Sequence, residues 1–139
     1  MRYTLVTLVG IASLVLLMRM SRGEVAVGRE IFQGLVTGKP SVQKRIDWAH
    51  LSAVGVEVGA TYTQLPNEQA KAKYRRFFVE YFSKGFRKAG GSPKAFVRWR
   101  IQERTPAWVV VAADYPAKQK TLLLTMATSG RKLQGIQWQ

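Results

Sequence analysis

Asp47 and His50 stand three residues apart in the segment Ile46-Asp-Trp-Ala-His-Leu51. On a helix that spacing puts both side chains on one face, where a carboxylate can orient an imidazole as a general acid/base pair. A surface Asp beside a helix-end histidine bonded to backbone has the same spacing, and we adopt that simpler reading. Asp114-Tyr115-Pro116 is a second candidate, but Asp in such a turn ordinarily bonds its own backbone. Proton abstraction beside a carbonyl needs a carboxylate base together with a tyrosine and a protonated carboxyl in an apolar pocket. Tyr62, Tyr81 and Asp47 are of the right types, yet no motif links them. No residue is assigned a catalytic role.

Composition closes several other routes. The chain has no cysteine, which removes disulfides, thiol nucleophiles, thiolate zinc sites and iron–sulfur clusters. Its single histidine removes multi-histidine metal sites. The stretch Gly55-Val-Glu-Val-Gly59 lacks the Gly-Lys-Ser/Thr ending of a phosphate loop. Neither a cofactor nor a metal is expected.

Charge is the unusual feature. Lys and Arg number 22 against 8 Asp and Glu in 139 residues, a net +14. Arg98, Arg100 and Arg104 share one face of a predicted strand, and Lys71–Arg76 and Lys84–Lys88 form two clusters on a predicted helix. We read Arg76, Arg98, Arg100 and Arg104 as a surface for an anionic partner. Subunits of a membrane complex and anionic lipid headgroups are the expected partners. Nucleic acid is disfavoured, because its binders interleave exposed aromatics with cations, and here most aromatics fall on the predicted core face.

These residues need elements to position them. Residues 3–18 carry no charge, with Arg2 before them and Arg19 and Arg22 after. A helix of that length spans roughly 24 Å, a little short of a hydrocarbon core. It is read as an uncleaved single-span anchor that uses Tyr3, Leu8, Ile11, Leu14, Leu17 and Met18. A cleaved secretory signal and a buried helix are the competing readings. The expected organisation is an anchor over 1–23 and a soluble domain over 24–139. The expected location is a bacterial-type inner membrane, with a slight lean of the domain to the cytoplasmic side.

Beyond the anchor, Val27, Ile31, Phe32 and Leu35 predict a helix over 24–37, and Ser41 caps a second one to about Leu51. Residues 54–62 read as a short strand or loop. Asn67 caps the longest helix, which runs to Ala89; its core face is expected to hold Tyr74, Phe77, Phe78, Tyr81, Phe82 and Phe86. The period then changes to two, giving strands over 95–104, 108–113, 120–128 and 132–138. On the first of these strands Val97, Trp99 and Ile101 are expected inward and Phe96, Arg98, Arg100 and Arg104 outward. The fold class is α+β, with two or three helices on a curved antiparallel meander.

This order of elements, with the Ile46–Leu51 segment and a last strand ending Ile136-Gln-Trp138, resembles the nuclear-transport-factor-2-like (cystatin-like) cone. The resemblance covers roughly residues 24–139. It implies either an enzyme such as an isomerase or dehydratase working in the cone interior, or a non-catalytic scaffold, as in single-span subunits of secretion systems. The expectation taken forward is a non-catalytic, membrane-anchored accessory subunit that docks through a basic surface. A small-molecule protein using the cone interior and an anion-binding module for nucleic acid or lipid are the alternatives.

Overall fold

In a computed structural model the structure describes residues 23–139. Residues 23–37 are helical (α1). Ile31, Phe32, Leu35 and Val36 bury one side of α1 at the spacing a helix face requires. Gly28 lets the helix lie close on the sheet, since a Cβ there would sit 3.3 Å from Val111. Gly38, at φ +71°, ends α1 in the left-handed conformation, and the Lys39 amide reaches back to the Gly34 carbonyl at 2.8 Å.

The segment expected as a second α-helix is instead two 3-10 turns, Pro40–Arg45 and Trp48–His50, separated by extended backbone at Ile46. The break has a cause in the sheet. Ile46 bridges Leu133, and the Asp47 amide donates to the Leu133 carbonyl at 2.9 Å. After it come a tiny hairpin, β1 (Ser52–Ala53) with β2 (Val56–Glu57), and the short helix α2 (Val58–Thr63). The long helix α3 covers Glu68–Lys88, and Asn67 caps it by accepting from the Ala70 amide at 2.8 Å.

Four strands complete the chain: β3 (Val97–Arg104), β4 (Trp108–Tyr115), β5 (Lys120–Ala127) and β6 (Leu133–Trp138). The sheet order is β2-β1-β6-β5-β4-β3. The meander is antiparallel as expected, but β1 runs parallel to β6, so the six-stranded curved sheet is mixed. The α+β class holds.

Strand β3 departs from regular pairing with β4 at two places, between Val97 and Arg100 and between Ile101 and Glu103, and the first changes which side chains face the core. Arg98 adopts φ +55°, and the pairing with β4 shifts between Val97 and Arg100. A bulge of this kind turns one extra residue out of the alternation. Phe96 therefore enters the core and Val97 is exposed, the reverse of the period-two reading. Past the bulge the expected alternation returns, with Trp99 and Ile101 half-buried and Arg100 and Arg104 outside.

The expected anchor, with Tyr3, Leu8, Ile11, Leu14, Leu17 and Met18, lies outside the described residues. Among the described residues no helix is long and apolar enough to cross a membrane. The expectation of a single-pass protein of a bacterial-type inner membrane is corrected accordingly, since nothing in the described structure supports it.

Candidate functional site

The interior beneath α1 is filled by aromatic rings. Phe96 stacks on Tyr115 with centroids 4.6 Å apart and meets Phe32 edge-on at 4.8 Å. Phe86 and Trp138 close around it at 6.1 and 5.9 Å. Contacts of this geometry add to the large apolar area that each ring buries. What remains open lies at the margin. A groove of about 510 Å³ runs between α1 and β3 past Val25, Arg29, Trp99, Ile101 and Arg104. The nearby buried carboxylate of Glu24 is engaged by Arg104. Its Oε1 accepts from Nη1 at 2.8 Å, and its Oε2 lies 2.8 Å from Nη2 as an ionic contact without hydrogen-bond geometry.

The Asp47–His50 pair does form. His50 Nδ1 lies 3.1 and 3.0 Å from the two Asp47 oxygens, and Gln134 Nε2 donates to Asp47 Oδ2 at 3.0 Å. Burial works against the Asp47 charge, but the bonds from Gln134 and His50 outweigh it and hold the carboxyl below the usual Asp range. Through Nδ1 the carboxylate orients the ring, and the His50 side chain is 71% exposed. The other candidates do not converge on this pair. Tyr62 accepts from Arg75 Nη1 through its hydroxyl at 2.7 Å, and Tyr81 is 73% exposed on α3. Among the described residues no group of three or more acidic or histidine side chains could hold a metal ion.

The arginines of β3 are compensated within the chain. Arg98 Nε lies 2.7 Å from Asp114 Oδ2, and Arg100 Nη2 donates to Asp114 Oδ1 at 3.2 Å. Thr121 Oγ1 donates to the same oxygen at 3.2 Å. The Arg100 bond is the main cause that holds the Asp114 carboxyl below its usual range, against the opposing effect of burial. Arg104 is taken up by Glu24. Three of the four arginines named from sequence thus face carboxylates of their own chain.

The fourth, Arg76, stands on α3, where the picture is different. Of the seven basic residues in Glu68–Lys88, only Arg75 has a carboxylate partner among the described residues, Glu68 Oε1 at 2.8 Å. Among the described residues, Lys73, Arg76, Lys84, Arg87 and Lys88 make no ion pair within 4 Å. Comparison with protein-family profiles, curated proteins and solved structures finds no match. The resemblance to a nuclear-transport-factor-2-like domain behind a membrane span is corrected on this ground and on the absence of a spanning helix among the described residues. The order of helices and strands remains compatible with such a cone.

The uncompensated cations of α3 surround aromatic rings that the sequence reading placed in the core. Phe77 is 40% exposed, with Lys73 Nζ 5.7 Å and the Arg76 guanidinium 5.9 Å from its centroid. Phe77 and Tyr81 lie side by side, their centroids 6.2 Å apart. Inward, α3 fully buries only Val79 and Ser83, while Tyr74, Phe78, Phe82 and Phe86 are half-buried. The sequence did carry a signal for this. Tyr74, Phe78, Phe82 and Phe86 already form a complete seam four residues apart, and Phe77 and Tyr81 belong to the neighbouring row that starts at Lys73.

Proposed function

We propose that this chain is a non-catalytic accessory domain that docks, through its basic surface, onto an acidic face of a larger protein assembly. The observation that carries the reading is the separation of two kinds of cation. Arg98, Arg100 and Arg104 face carboxylates of the same chain, whereas five cations of α3 face outward, two of them, Lys73 and Arg76, beside the exposed ring of Phe77. A positive field of this sort steers and orients an acidic partner, and rings at its centre supply the apolar contact that charge alone lacks. The aromatic filling of the interior supports docking over chemistry beneath α1.

Single-stranded nucleic acid is the second reading, favoured by the same interleaving of rings and cations. It is weaker because a convex helix offers no groove along which a phosphate chain can run. Affinity isolation of the full chain from its source, at low and high ionic strength, separates the readings. Retention of an acidic protein at low salt and its release at high salt is expected. A chain that runs alone at both salt concentrations, or whose companions vanish on nuclease treatment, contradicts the proposal.

A further inference from the structure

We infer that the outward face of α3, centred on Phe77, Tyr81 and Gly85, is a seat for an acidic amphipathic helix of a partner protein; this rests on the docking reading above and names its site and occupant. Lys73, Phe77, Tyr81 and Gly85 follow one another at intervals of four, so they form one continuous row along the helix. Glycine in a helix interior is disfavoured, and it persists where backbone must be approached closely. Among the described residues nothing makes that demand at Gly85, since a Cβ there would meet no atom within 4 Å. The missing side chain instead contributes to an open cleft of about 560 Å³ walled by Tyr81, Lys84, Arg87 and Lys88.

The row therefore alternates contact and relief. Phe77 and Tyr81 are a raised apolar ridge, and Gly85 is the notch beyond it that takes a knob from a facing helix. Cations line one side of the row, with Arg76 beside Phe77 and Lys84 and Lys88 beside the notch. Lys73 heads the row itself, and the half-buried ring seam of Tyr74, Phe78 and Phe82 lies along the other side. Glu80 is the one acid on this face. A partner with an apolar seam and flanking carboxylates matches this surface in shape and charge. A helix fits better than a lipid headgroup or a phosphate chain, because neither of those needs a notch for a side chain. At about 1.5 Å per residue, the row from Lys73 to Gly85 runs roughly 18 Å, about three turns of a facing helix.

The test is binding of a designed helical peptide, with a Leu/Ala seam flanked by glutamates, to the full chain, followed by fluorescence anisotropy. Three competitors accompany it: the same peptide with Gln for Glu, an oligothymidylate, and phosphatidylserine vesicles. Expected are saturable binding of the Glu peptide, at least tenfold weaker binding of the Gln peptide, and at least tenfold loss with Phe77→Ala plus Tyr81→Ala. Gly85→Leu is the decisive variant, because leucine favours the helix and fills the notch. It should raise the melting temperature and weaken peptide binding together. Undiminished binding by Gly85→Leu and by the double alanine variant overturns the α3 seat while leaving an acidic partner in place. Binding that does not distinguish Glu from Gln overturns the docking reading itself. Tighter binding of oligothymidylate or of vesicles than of the Glu peptide overturns the helical occupant.

Discussion

Ser83 Oγ donates a 3.0 Å hydrogen bond to the carbonyl of Val36, 47 residues earlier in the chain. That carbonyl belongs to the last turn of α1, where helix acceptors have no partner within the helix. The bond also sits against the left-handed glycine that ends α1, for a Cβ on Gly38 would lie 3.3 Å from Ser83 Oγ. One short polar side chain thus fastens the long helix to the core. Its opposite face stays open, which leaves Phe77, Tyr81 and Gly85 outside.

Replacing Ser83 by alanine strands a buried acceptor, at a cost of about 1–3 kcal/mol. Urea unfolding of Ser83→Ala should show that loss. A variant as stable as the parent chain would mean that α3 is held by its half-buried rings alone.

Arg98 carries left-handed backbone at an exposed position, with an ion pair to Asp114 that contributes little where solvent screens it. Glycine relieves the conformation and loses the pair, so Arg98→Gly is expected to change stability little. Valine loses the pair and suffers the full cost of a β-branched residue there, about 1–2 kcal/mol. Equal stability of the Gly and Val variants would show that β3 has no bulge in solution.

Phe96 touches Phe32, Phe86, Trp99, Tyr115 and Trp138. Phe96→Ala removes the ring on which the others converge, and a loss of about 3–5 kcal/mol is expected. Thermal or denaturant melts read it directly. A loss below about 1 kcal/mol would mean a loosely filled interior and would reopen that interior as a ligand site.

The folded-state values of Asp47 and Asp114 are both depressed, the first by Gln134 and His50 against the effect of burial, the second chiefly by Arg100. A depressed carboxylate contributes stability that is present above its unfolded value of about 3.9 and is lost as pH falls through the folded value. Stability should therefore decline as pH drops below about 4, and Asp114→Asn should flatten that decline while already being less stable at neutral pH. An unchanged acid limb in Asp114→Asn would mean that Arg98 and Arg100 do not hold this carboxylate in solution.

Much of the architecture follows from local pattern. The Asn67 cap, the seam of α3 and the alternation along β5 each need only nearby residues, and their elements appear where the pattern puts them. The failures come from distant partners. The second helix breaks at Ile46 because Leu133 pairs with it from the far end of the chain. Phe96 and Val97 exchange faces because Arg98 bulges toward Asp114, a neighbour created only by strand pairing. The arginines of β3 looked available in sequence for the same reason, since their carboxylates are 14 to 80 residues away. Phe77 and Tyr81 were misplaced because a helix period records which residues are apolar and not how much of the helix its neighbours cover.

The most direct measurement compares two equal removals of charge in the isolated native assembly. Lys73→Gln with Lys84→Gln removes two cations from the open face of α3, and Arg98→Gln with Arg100→Gln removes two from the compensated edge of β3. The α3 pair should release the partner at low salt, and the β3 pair should retain it. Release by the β3 pair with retention by the α3 pair, in variants of native circular dichroism, would contradict docking through α3.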